Sequence, residues 1–151
     1  MKKFFVTLVI SFLFGFAHAQ SMLFNKYENV DGVSTVIVSK AMLRMIPDLH
    51  IGEHNIRKIA SKLDRLKVLT CERQSLIDKI AKDAAKIYNK HPWEEMMRYK
   101  EGRSLTVIYM NPLGKGKYQY VLYTMDKGEL QIIDITGAIT LEEIKDITGN
   151  D

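Results

Sequence analysis

The sequence predicts an α+β domain in two layers, a largely antiparallel sheet with helices packed on one face, in the order β-α-α-β-α-β-β-β-β-α. Three observations predict it. Apolar residues recur at helical steps mainly between residues 39 and 89 and again near the C-terminus, whereas from residue 93 to residue 135 the period is two. The two patterns are segregated along the chain, which favours α+β over an alternating α/β architecture. The composition, 46% hydrophobic and 26% charged over 151 residues, supports one packed core, and a single Cys excludes a disulfide-stapled miniprotein.

Residues 1–19 read as a signal peptide and residues 20–151 as the single domain. Lys2 and Lys3 form a basic start, and the run from Phe4 to Ala17 carries no charge. Ala17-His18-Ala19 then supplies small residues at the minus-three and minus-one positions of a cleavage site. The apolar run is about 14 residues, where a membrane-spanning helix needs roughly 20. Cleavage before Gln20 makes the protein periplasmic or secreted, with no transmembrane helix left, and the absence of Cys at that position argues against a lipoprotein. Loss of Lys2 and Lys3 lowers the formal charge from +4 to +2. Cys71 is expected to be buried, because an exported surface thiol invites adventitious pairing.

The elements follow in order. Val33 to Val38 (VSTVIV), after the turn pair Asp31-Gly32, reads as a buried strand. Ser39 caps a short helix carrying Met42, Leu43, Met45 and Ile46, stopped by Pro47. After a loop from Pro47 to His54, Asn55 opens a helix whose residues Ile56, Ile59, Ala60 and Leu63 share a face. Leu66 to Thr70 is β-prone. Ser75 to about Asn89 is the clearest helix, with Leu76, Ile77, Ile80, Ala84, Ile87 and Tyr88 at three- and four-residue steps. Trp93 to Tyr99 fits either a helical turn or a strand with Trp93, Met97 and Tyr99 on one face, and the turn at Glu101-Gly102 into Leu105, Val107 and Tyr109 favours the strand. Two further strands are separated by Asp126-Lys127-Gly128, and Thr140 with Glu143 forms a capping box for a last helix, Leu141 to Ile147.

Motifs for catalysis are sparse. No Ser lies in a G-x-S-x-G turn, and Cys71 has no signature beside it. The pairs Glu94-Glu95 and Glu142-Glu143 are adjacent, so their side chains diverge on strand or helix alike. Asn111 to Lys117 lacks the first Gly and the Ser or Thr of a phosphate-binding loop and reads as a glycine turn. The chain is therefore expected not to be an enzyme and to need no cofactor. His50 and His54, four residues apart, are the weak candidates for metal ligands, in an order (HIGEH) that is not the zinc-protease H-E-x-x-H.

Charge is uneven. Residues 40–100 hold 14 basic and 8 acidic side chains, and residues 101–151 hold 5 and 8. Arg57 and Lys58, with Lys62, Arg65 and Lys67, are expected on the helices, where such a run reads first as a solvated face and alternatively as a docking surface for an acidic partner or an anionic envelope surface. A mature charge of only +2 and export argue against nucleic acid. Tyr118 and Tyr120 share a face with Leu122 while Tyr123 takes the other, so these rings read either as half-buried sheet residues or as aromatic surface partly exposed for protein contact.

Three stretches carry a family resemblance: Phe24 to Pro47 (FNKYENVDGVSTVIVSKAMLRMIP), Lys62 to Thr70 (KLDRLKVLT) and Ile133 to Lys145 (IDITGAITLEEIK). They resemble the DUF4252 family, a domain of unknown function found in small exported Bacteroidetes proteins. The resemblance implies an α+β domain beginning near Phe24 and supports the strand after Pro92. It implies no activity, cofactor or catalytic residue. The genomic context of such proteins, near extracytoplasmic-function sigma factors, implies a link to envelope stress signalling. The leading expectation is a non-enzymatic interaction module that binds a protein partner in the cell envelope. The alternative is a small-molecule or metal-binding protein with a pocket near His50 and His54.

Overall fold

A computed structural model of the chain describes residues 16–46, 50–51 and 54–148. Lys2, Lys3 and most of the apolar run of the expected signal peptide lie outside the described residues, as do Pro47, Gly52 and Glu53. The elements are α1 (Phe16–Tyr27), β1 (Val33–Ser39), α2 (Lys40–Met45), β2 (His50–Ile51), β3 (His54–Asn55), a 3-10 turn (Ala60–Lys62), β4 (Leu63–Cys71), α3 (Gln74–Tyr88), β5 (Glu94–Glu101), β6 (Ser104–Gly114), β7 (Lys117–Asp126), β8 (Glu129–Gly137) and α4 (Leu141–Thr148). Six strands form one sheet in the order β1-β4-β8-β7-β6-β5, every neighbour pair antiparallel. The α+β class is as the sequence predicts.

Local chemistry explains the meander from β5 to β8. The turns after β6 and β7 place Lys115 and Gly116 at φ 56° and 73°, and Lys127 and Gly128 at 49° and 81°. Two successive left-handed residues are what a tight hairpin requires, and glycine supplies the second without strain. The caps also form as expected. Ser39 Oγ accepts from the Met42 amide at 3.4 Å. Thr140 and Glu143 make the reciprocal box, Glu143 N to Thr140 Oγ1 at 3.2 Å and Thr140 N to Glu143 Oε2 at 2.9 Å.

The layering departs from expectation. Leu69, Val107, Val121, Tyr123 and Ile132 line one face beneath α1 and α3, which contribute Leu23, Phe24, Tyr27, Ile77, Ile80, Ala84 and Tyr88. Leu66, Val68, Ile108, Leu122, Ile133 and Ile135 line the other, beneath α2, the segment from Ile56 to Leu63 and α4. Helices therefore cover both faces, and the sheet is the middle layer. The reason lies in the central strands: β8 carries Leu130 and Ile132 on one face and Ile133 and Ile135 on the other, so neither side can be left to water. Cys71 is buried in the first of these cores.

Three elements also correct the reading of the sequence. Asn55 to Leu63 is not a helix: β3 ends at Asn55, then Ile59 N bonds Ile56 O at 3.1 Å and Lys62 N bonds Ile59 O at 2.8 Å. These are successive tight turns, whose three-residue steps bury the same positions a helix would. The chain from Leu63 onward belongs to the longer β4, held between β1 and β8. Second, a register shift between Glu95 and Met97 inserts one residue into β5. Trp93 consequently packs against Tyr88, ring centroids 5.0 Å apart, while Met97 packs in the opposite core. Third, a helix, α1, precedes β1 where the sequence reading assigns none, and Phe24 and Tyr27 stand on it at helical spacing.

α1 is fixed to α3 through one carboxylate. Tyr27 OH donates to Asp83 Oδ2 at 2.6 Å, and Lys26 Nζ does so at 2.6 Å. These bonds, Lys26 first and then Tyr27, hold the Asp83 carboxyl below its ordinary value. The resulting stabilisation is complete above the unfolded-state value, near 4, and is lost as pH falls through the lower folded one. Thermal melts between pH 7 and pH 2.5 should show wild type losing about 1 kcal/mol more than Asp83→Asn across that window. Parallel losses in the two proteins would contradict the assignment.

Candidate interaction edge

The residues expected to form an exposed aromatic patch are divided by the two-sided core. Tyr120 is 1% exposed, and its hydroxyl donates to Ile139 O at 3.2 Å. Tyr123 is 8% exposed, beneath α3, and burial pushes its hydroxyl up to about 12. Both are core residues, which corrects their assignment as contact residues. Tyr118 is half-buried, its ring 6.0 Å from that of Tyr120.

The basic layer is likewise dispersed. Arg57 and Lys58 are exposed on a turn rather than a helix. Lys62 pairs with Glu143, lowering that carboxyl. Arg65 and Lys67 belong to β4, and Lys67 is buried with its ammonium 5.4 Å from the Phe24 ring centre. Burial lowers its pKa, and Asp134, its cross-strand partner, opposes that shift. His50 is exposed in β2 opposite Asn55, and His54 stands in β3 opposite Ile51, so the two are not cross-strand partners. Among the described residues no group of three or more His, Cys, Asp and Glu could hold a metal ion. Clefts open elsewhere, one of about 550 Å³ between α1 and α3 and one of about 170 Å³ beneath α3.

What the fold does bring together lies at one end of the sheet. β1 pairs with β4 from Val33↔Cys71 to Ser39↔Arg65 without a shift, and no strand among the described residues lies on its outer side. Its sequence, VSTVIVS, has no charge and no Pro. Val36 and Ile37 are each more than half exposed, which corrects the reading of this segment as a buried strand. The apolar run identified a strand correctly, but composition cannot distinguish a central strand from an edge; β8 occupies the other side of β4, leaving β1 outermost. The helix that follows, α2, turns Leu43 into the core and leaves Met42 and Met45 more than half exposed. α2 covers the face on which Val38 packs, the face that Val36 shares by alternation.

The opposite edge shows the usual protections. β5 reads EEMMRYKE, is bulged, and carries a two-bond Arg98–Glu95 pair at 2.8 Å with Tyr99 OH donating to Glu101 at 2.6 Å. Charged residues and bulges keep an edge from pairing with a stray strand. β1 has neither.

A protein-family model described as a domain of unknown function (DUF4252) matches residues 27–147. No curated protein matches the chain. No solved structure matches it either. No helix among the described residues is long and apolar enough to cross a membrane.

Proposed function

The chain belongs to the DUF4252 family, and from that premise we propose a non-catalytic protein-binding domain of the cell envelope, exported by a cleaved signal peptide. It takes up an extended strand of a protein partner along the outer side of β1. The observation that supports this reading is the contrast between the two edges, one charged and bulged, the other uncharged, regular and exposed at Val36 and Ile37. Strand addition draws affinity from main-chain hydrogen bonds and specificity from side chains at alternate positions. The complementary strand is uncharged and β-branched, with no Pro where the ladder must form. Met42 and Met45 supply adaptable apolar surface beside it.

Incorporating the photoreactive residue p-benzoylphenylalanine at Ile37, in cells that make the protein, tests the site. Irradiation should give discrete protein adducts, identified by mass spectrometry, whereas the same residue at Leu113, also exposed, should give none. Adding Val36→Lys should lower the Ile37 yield at least about tenfold, because it places a charge in the ladder. Equal yields from positions 37 and 113, or no effect of Val36→Lys, would contradict the reading.

A further inference from the structure

Resting on that reading of β1, we infer that the strand it accepts is β1 of a second copy of this chain, paired antiparallel about a two-fold axis normal to the sheet. Every neighbouring pair in the sheet is already antiparallel, so the addition repeats the existing ladder and doubles six strands into one continuous sheet. An axis in that direction keeps each face of one copy continuous with the same face of the other. Residues of like parity must then pair, and full overlap sets Val36 against Val36 on the axis. Thr35 then meets Ile37, Ser34 meets Val38, and Val33 meets Ser39. These are β-branched and hydroxyl pairs, which stabilise antiparallel ladders, and no like charges face one another.

The flanks of the strand complete the case. Asp31 stands just before β1 with its side chain fully exposed; Arg73 donates to its main-chain oxygen at 3.4 Å and approaches its carboxylate at 4.0 Å. Lys40 and Arg44 follow it in α2. The two-fold axis brings Asp31 of each copy to the strand end where the other copy carries Arg44 and the net-positive cluster of Lys40 and Lys117 around Asp64, so opposite charges meet at both ends. A closed isologous contact of this kind uses the edge up and stops at two copies. It also accounts for an unguarded edge, because a strand that pairs with its own copy cannot carry charge on its axis. Met42 and Met45 lie on the Val36 side of the sheet, where each α2 can lean over the other copy's strand.

Sedimentation velocity on the protein purified after export, with its leader removed, decides the matter. Wild type should sediment as a dimer at tens of micromolar. Val36→Lys, which puts two ammonium groups face to face on the axis, should raise the dimer dissociation constant by about a hundredfold or more with an unchanged circular-dichroism spectrum. Asp31→Lys, outside the ladder, should raise it by about three- to tenfold, and added salt should shrink that difference. A wild-type monomer at about 100 µM, where a contact of micromolar affinity is saturated, would overturn the inference, as would a dimer that Val36→Lys leaves intact. A monomer that still gives Ile37 adducts with a different protein would overturn only the choice of partner. A monomer without such adducts would remove the strand-accepting reading as well.

Discussion

Replacing Gly137 by alanine should cost about 3 kcal/mol or more, measured by urea denaturation. Gly137 closes β8 where that strand meets both neighbours, opposite Leu63 on β4 and Tyr118 on β7. A Cβ built there would lie 2.3 Å from the carbonyl oxygen of Lys62 and 2.9 Å from Leu63 Cα. Both are backbone atoms, so no side chain can rotate away. Relief requires moving β8 from the start of β4, which breaks the Ala138 N to Lys62 O bond of 3.1 Å and loosens the 3-10 turn before it. Gly102→Ala is the control. That glycine has φ +57° and nothing within 4 Å of an added Cβ, so its cost is conformational alone, about 1 kcal/mol. A Gly137→Ala protein within 1 kcal/mol of wild type, on the scale of the ordinary surface substitution, would contradict the close approach.

Phe24→Ala should cost a similar amount, about 3–5 kcal/mol. Phe24 is buried with Leu23 and Tyr27 against the face built by β4, β8 and β7, and its ring also stands over the Lys67 ammonium. The substitution removes a large apolar side chain and the aromatic face that partly compensates a buried cation. Phe24→Leu should recover most of the packing and little of the cation–π contact, so its loss should fall between. Met22→Ala, at an exposed position on the same helix, should be neutral within about 0.5 kcal/mol. This ranking also bears on processing. Cleavage after Ala19 would remove Phe16 to Ala19 of α1 and retain Leu23, Phe24 and Tyr27, which are buried in the core. A Phe24→Ala protein as stable as Met22→Ala would show that α1 is not part of the folded unit.

The elements that were readable from the sequence are those whose local chemistry is sufficient. The α3 stripe of Ile77, Ile80, Ala84 and Tyr88, the glycine hairpins and the Thr140–Glu143 box each depend on residues within one element. What was not readable depended on which strand neighbours which. The period-two pattern of β7 correctly put Tyr120 and Tyr123 on opposite faces, but only the arrival of α3 on one side and Ile139 on the other buries both. Val33 to Val38 gave the strand and not its place at the sheet edge, because that place is set by β8, nearly a hundred residues later in the chain. The spacing of Ile56, Ile59 and Ala60 suited a helix and a pair of tight turns equally, until β4 claimed Leu63. The candidate site was therefore visible in composition, as an uncharged β-branched run between Asp31 and Lys40, and invisible in topology.

Amide hydrogen exchange across β1, resolved residue by residue by NMR, tests the pairing of this edge most directly. An edge strand bonded only to β4 protects alternate amides from Ser34 to Ser39, whereas one enclosed on both sides protects all of them. Slow exchange is expected at every one of these amides in the wild-type dimer. In Val36→Lys the alternating pattern should return, with protection of β4, β7 and β8 unchanged. Fast exchange at alternate β1 amides in concentrated wild-type protein, identical to that of Val36→Lys, would contradict the pairing.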